Sequence, residues 1–124
     1  MEAKDYWTAL DELVKRHRIV VDRPKGSSHP RFPDSTSPLD YGYLDGTVSG
    51  DGCGVDVWLG SLPDRMVQAV ICTVDLIKGD VETKLIMGCK EEEIKTAVST
   101  HRSYSQSAIL VRKPIVEGQP LNRV

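Results

Sequence analysis

The sequence predicts an α+β domain: a small closed β-barrel flanked by an N-terminal and a C-terminal helix. Three observations carry that expectation. Apolar residues near the N-terminus recur at helical spacing, five or six short β-branched runs follow, and Gly/Pro turns separate those runs. The length of 124 residues fits one compact domain, drawn at 1–116, with 117–124 as a frayed tail.

The first element rests on Ala3, Tyr6, Trp7, Leu10, Leu13 and Val14, which form the stripe of an amphipathic helix. Asp11, Glu12, Lys15 and Arg16 take the opposite face. The stripe serves either the domain core or a dimer contact through Tyr6 and Trp7, and a homo-oligomer is the expected assembly. Ile19-Val20-Val21 reads as a strand stopped by Arg23-Pro24, and Lys25-Gly26-Ser27-Ser28 turns the chain. Pro24, Pro30, Pro33 and Pro38 then forbid helix and any central strand up to Asp40. So long a stretch without regular structure in a small domain is either disordered or functional.

Tyr41-Gly-Tyr-Leu44 leads through Asp45-Gly46 to the turn Ser49-Gly-Asp-Gly-Cys-Gly54. In the strand Val55 to Leu59, alternation puts Val55, Val57 and Leu59 on one face and Asp56 and Trp58 on the other. Val67 to Asp75 is a strand ending in an acid, and Gly79-Asp80 turns into a strand at Thr83 to Met87. Glu91 to Arg102 has helical character, with Ile94, Ala97, Val98 and His101 on one side. Ala108 to Val111 is the last strand, stopped by Pro114.

Composition narrows the function classes. Sixteen basic and eighteen acidic residues give a net charge of −2, which provides no broad surface for nucleic acid or an anionic membrane. No apolar run approaches the roughly 20 residues of a transmembrane helix. Cys53, Cys72 and Cys89 cannot all pair within one chain, so reduced thiols and a cytoplasmic location are expected. None of them has the close spacing of a structural zinc site. Cys72 and Cys89 are expected to be buried and inert.

The acids carry the chemistry. Acids on turns are ordinarily solvated, but Asp56 interrupts an apolar strand, where a carboxylate costs energy unless a cation or donors satisfy it. Asp51 lies across a glycine turn from it, Asp75 ends a strand, and Glu82 and Lys84 alternate on one strand face just after Asp80. Hard oxygen ligands suit Mg²⁺ or Mn²⁺, which bridge carboxylates to phosphate oxygens. Lys or Arg and close-approaching glycine backbone complete such a site.

Arg23-Pro-Lys-Gly-Ser27, Asp40-Tyr-Gly-Tyr-Leu44, Gly46-Thr47 and Asp51-Gly-Cys-Gly-Val-Asp-Val57 together resemble the soluble family I inorganic pyrophosphatases. Asp75 and Gly79-Asp-Val-Glu-Thr-Lys84 are similar to a later segment of that family, so the resemblance spans residues 19 to 88. It implies an OB-like barrel whose mouth holds Mg²⁺ ions (Mn²⁺ as substitute) and pyrophosphate. It also implies catalytic roles for Asp51, Asp56, Lys84 and Tyr41, and phosphate contacts from Lys25, Arg31, Lys84 and Tyr41. Asp51, Asp56 and Asp75 match metal ligands, with Asp80 or Glu82 as the fourth.

Departures from the pattern are specific. Cys53 replaces the middle signature aspartate, which helps deprotonate the attacking water, and Gly54 replaces the proline after it. Arg31-Phe32-Pro33 keeps a cation and loses a carboxylate, and a longer hairpin with a phosphate-binding arginine is missing before Tyr41. Two extra residues separate Asp75 from Lys84, and His101-Arg102 stands near a family Tyr-Lys pair. Hydrolysis of pyrophosphate is therefore expected to be weak. The alternative is a non-catalytic member of the fold that binds a metal-phosphate ligand or a protein. Lys25 is open between turn lysine and phosphate contact, while Cys53 reads as a small turn residue and His101 as a packed histidine.

Overall fold

The computed structural model describes residues 5–114. Ala3 of the helical stripe and the tail drawn at 117–124 lie outside the described residues. The elements run α1 (Tyr6–Arg16), β1 (Ile19–Arg23), β2 (Asp40–Leu44), β3 (Val55–Leu59), β4 (Val67–Asp75), β5 (Asp80–Met87), α2 (Glu91–Thr100) and β6 (Gln106–Arg112). The class is α+β.

Asp5 starts α1 by accepting from the backbone N–H groups of Trp7 and Thr8 at 3.0 and 3.1 Å. Lys15 and Arg16 in the last turn complement the negative end of the helix dipole. In α2 the dipole is complemented at its positive end, with Glu91, Glu92 and Glu93 in the first turn. Glu93 accepts from the Lys90 N–H at 2.7 Å and also binds Ser61, which anchors the helix start to the chain after β3.

Six strands form one sheet in the order β1-β2-β3-β5-β4-β6. Every neighbouring pair is antiparallel except β3 and β5, which run parallel with Val57 opposite Leu85. The sheet is not closed, and this corrects the barrel expected from the sequence. The reason lies at the two ends of the sheet. β1 pairs only with β2, and β6 pairs only with β4, from Gln106 to Arg112, so the end strands do not meet.

Alternation sends side chains to two separate cores. Leu44, Val57, Leu59, Val70, Leu85 and Met87 meet Trp7, Leu10 and Val14 of α1. Tyr41, Trp58, Ile71 and Ile86 meet Ile94, Ala97 and Val98 of α2 on the other face. The sheet is thus a middle layer between two helices. Trp7 packs inward, while Tyr6 is largely exposed.

The outer strands end differently. β1 is broken by a bulge between Val21 and Arg23. On β6, Arg102 Nε donates to the Ala108 carbonyl at 3.0 Å. The proline-rich stretch is an ordered excursion: Ser28 bridges Thr36, and Gly26 N–H donates to Ser37 O at 2.8 Å. Strand β5 starts at Asp80 rather than Thr83, because pairing with β4 continues to Asp75 opposite Asp80. Among the described residues no helix is long and apolar enough to cross a membrane.

Candidate functional site

Strand parity assembles the site. Asp56 shares a face of β3 with Trp58, Glu82 and Lys84 share a face of β5 with Ile86, and Tyr41 of β2 sits opposite Trp58. All of these side chains face the α2 side. Lys84 Nζ donates to Asp56 Oδ2 at 2.9 Å and to the Tyr41 hydroxyl oxygen at 3.0 Å, and lies 3.8 Å from Glu82 Oε2. Lys84 is 5% exposed and Glu82 7%, a degree of burial that charged residues reach only when paired.

The electrostatics are those of an acid-rich site with one buried ammonium. Burial, first, pushes the Glu82 carboxyl above its ordinary range, with Asp51, Asp56 and Asp80 adding to the rise and Lys84 opposing it. Tyr41 is held protonated by burial, then by the Asp56 charge, and its O–H donates to Asp56. Thr73, opposite Glu82 on β4, buries a hydroxyl with no hydrogen-bond partner among the described residues.

Asp51 reaches this cluster electrostatically from the turn before β3. Its Oδ1 accepts from Ser49 Oγ at 2.6 Å and from the Cys53 N–H at 2.9 Å. Those bonds, with help from the Lys84 charge, hold its carboxyl below the usual range. Gly54 ends the turn beneath Tyr43, where a Cβ would lie 2.8 Å from the ring. Cys53 is exposed.

Other residues singled out by sequence stand apart. Asp75 Oδ1 accepts from the Ile77 and Lys78 N–H groups at 3.0 Å each and from Ser105 Oγ at 2.9 Å, and so closes the β4–β5 turn. Its carboxyl is lowered by the Lys78 bond first. Lys25 and Arg31 are exposed on the proline-rich excursion, with the Lys25 N–H on Asp40 Oδ1 at 2.8 Å and the Arg31 N–H on His29.

The structure adds residues that sequence reasoning did not place in the site. Arg23 lies with its guanidinium carbon 5.0 Å from the Tyr41 ring centre. Trp58 packs on Tyr41 with ring centres 4.4 Å apart. Trp58 Nε1–H donates to His101 Nε2 at 3.0 Å, which leaves the histidine proton on Nδ1, donating to Gln106 Oε1 at 3.2 Å. Burial, then the Lys84 charge, push His101 down to about 4, so the imidazole is neutral. Only the shared face of Asp56 and Trp58 was a signal for this extension.

Among the described residues no three His, Cys, Asp or Glu side chains are grouped to hold a metal ion. The donor set nonetheless suits Mg²⁺ in kind, because Asp51, Asp56 and Glu82 offer only hard oxygens. Mg²⁺ usually takes one or two carboxylates plus substrate phosphates rather than an all-protein cage. A cavity of about 310 Å³ lies on the α1 side, between Leu10, Leu13, Val55 and Leu85, and touches the cluster only at Glu82. Its lining also includes Ser49, Gly50 and Thr83.

No family model, no curated protein and no solved structure matches the chain.

Proposed function

We propose that this chain is a Mg²⁺-dependent hydrolase of a small phosphoanhydride, with pyrophosphate as the substrate. One observation carries the reading: Lys84 Nζ sits within 3.0 Å of both Asp56 and Tyr41 and 3.8 Å from Glu82. These residues come from three strands and are among those the pyrophosphatase resemblance names. Burying such charges is costly, and sites that bear the cost are disproportionately functional.

In this mechanism Lys84 and the Tyr41 hydroxyl bind phosphoryl oxygens, and Asp56 orients both donors. Asp51 and Asp56 would hold Mg²⁺ together with the substrate. When bound, the ion supplies charge neutralisation and a more acidic water. Glu82 is a stronger base than an ordinary carboxylate, so it accepts the proton from water and returns it to the leaving phosphate. Asp75 serves the β4–β5 turn in this scheme, and Asp80 contributes charge only.

Cys53, exposed in the turn beside Asp51, favours a second outcome in which the protein binds pyrophosphate without cleaving it. A phosphate-release assay at micromolar protein with Mg²⁺ or Mn²⁺ separates the two. Turnover that disappears in Asp56→Asn and Lys84→Met supports hydrolysis. Binding without turnover selects the second outcome, and neither binding nor turnover overturns both.

A further inference from the structure

We propose that Thr73 is a positioning residue of the site: its hydroxyl becomes the hydrogen-bond donor to the Glu82 carboxylate when a ligand draws the Lys84 ammonium away. The choice of ligand rests on the phosphoanhydride reading above. The pairing of the two side chains rests on the sheet.

Two buried polar groups face each other without a hydrogen bond. Thr73 is 2% exposed, and its Oγ1 has no hydrogen-bond partner among the described residues. Glu82 is buried as well, and its ion-pair partner Lys84 Nζ lies at 3.8 Å, beyond hydrogen-bond length. An unpaired hydroxyl in a sheet interior is costly, and valine has the same shape without the cost. The other described residues on this face of β4, up to Thr73, include the apolar Ala69 and Ile71, so a polar side chain here is an exception.

Register makes the two groups partners for each other. Thr73 and Glu82 are directly opposite in the antiparallel β4–β5 ladder, on the face that Ile71 and Ile86 turn toward α2. Opposed residues on one face have Cβ atoms about 5 Å apart, so side-chain rotation alone brings a hydroxyl to a carboxylate. The other neighbours of Thr73 within the sheet offer no alternative. Ile71 and Ala108 have no polar side chain, and Asp75 is engaged by Ile77, Lys78 and Ser105.

Lys84 supplies the occasion. Its ammonium serves Asp56 and Tyr41 by hydrogen bonds and Glu82 by charge. A phosphoryl group bound at Lys84 competes for that ammonium. Asp56 then keeps the Tyr41 O–H, whereas Glu82 is left with the Thr73 hydroxyl opposite it. Hydrogen bonds to a charged group are stronger than those between neutral groups, so the exchange favours the bound state.

The test is calorimetric titration of the purified full chain with pyrophosphate and Mg²⁺, beside thermal melting of the protein alone, with phosphate release measured alongside. Thr73→Val is expected to melt at or above the wild-type temperature, because it removes an unpaired buried hydroxyl. It is expected to bind pyrophosphate about tenfold more weakly, the loss of one hydrogen bond to a charged group. Thr73→Ser should restore most of that affinity, since it returns the hydroxyl. In a Glu82→Gln background, Thr73→Val should cost less affinity than it does alone. Wild-type affinity in Thr73→Val overturns the inference and leaves the hydrolase standing. A lower melting temperature for Thr73→Val, or strictly additive losses with Glu82→Gln, also overturns it, because the hydroxyl then serves the fold or another group. The expected pattern in a protein that releases no phosphate keeps the inference and removes the hydrolase reading. Wild type that does not bind pyrophosphate overturns both. If Thr73→Val does not fold, Thr73→Ala is titrated in its place, and wild-type affinity there overturns the inference.

Discussion

Lys84 and Asp56 form an ion pair at 2.9 Å across the parallel β3–β5 contact, with the ammonium side chain 6% exposed and the carboxylate 22%. Their neighbours Glu82 and Tyr41 share the same ammonium, so its removal strands two acids at once. Lys84→Met is expected to destabilise the fold by about 3–5 kcal/mol, the range for breaking a buried pair from one side. The Asp56→Asn, Lys84→Met double variant should recover part of that loss. Urea denaturation of the single and double variants measures the coupling, and strictly additive losses would show that the pair contributes nothing.

Cys53 offers a gain-of-function experiment. Its exposed position and the hydrogen bond from its N–H to Asp51 mean that Cys53→Asp adds a carboxylate without disturbing a core. Phosphate release is expected to rise by about 10²-fold, the low end of what a positioned general base supplies. Added in the Cys53→Asp background, Asp56→Asn should abolish the gain. A fast wild type that Cys53→Asp leaves unaltered would place residue 53 outside the water-activating shell.

Metal binding separates Asp56 from Asp75. Mg²⁺ with pyrophosphate is expected to raise the melting temperature more than Mg²⁺ alone, since the ion takes part of its coordination from phosphate. Asp56→Asn should erase that shift. Asp75→Asn should keep it while lowering the starting temperature, because Asp75 is occupied by the Ile77, Lys78 and Ser105 donors. A ligand-induced shift lost in Asp75→Asn would make Asp75 a ligand after all.

Acid should loosen the α2 side through His101. An unfolded histidine takes its proton near 6.5, whereas burial, then Lys84 and Arg23, hold His101 at about 4 against the opposing pull of Gln106 and Asp56. Between those values the unfolded chain binds more protons, so stability falls as pH drops from about 6.5 to 4, by up to about 3 kcal/mol. Glu82 works in the opposite sense, its raised carboxyl favouring the folded chain as pH falls. Comparison with His101→Gln isolates the histidine. That variant should show a flatter acid limb and, with Trp7→Phe in both proteins, lose the pH dependence of Trp58 fluorescence.

How much of this was legible in the sequence depends on how local each feature is. The stripe of α1 and the alternation that sets Asp56 and Trp58 against Val57 and Leu59 are periodic signals, and both stand in the structure. The barrel was not decidable in that way. Closure depends on whether the end strands β1 and β6 meet, and they do not; which strands meet is a long-range matter that no period-two pattern specifies. Arg23 escaped for a related reason. Its parity is reset by a bulge, and the bulge depends on contact between Val20 and Gly42, far apart in the chain. Asp75 shows the converse, since its partners Ile77 and Lys78 are so close in sequence that the turn claims it first.

The parallel β3–β5 contact has a kinetic consequence. It is the seam between two antiparallel units, β1-β2-β3 and β5-β4-β6, and it joins Asp56 to Lys84 across 28 residues of sequence. The β2–β3 and β4–β5 hairpins close short loops, while the seam and the β4–β6 pairing, which sets Asp75 against Gln106, join distant segments and bear the larger entropic cost. The charge cluster is then among the last parts of the molecule to form. Asp56→Asn should therefore accelerate unfolding in stopped-flow chevrons and leave the refolding limb almost unmoved.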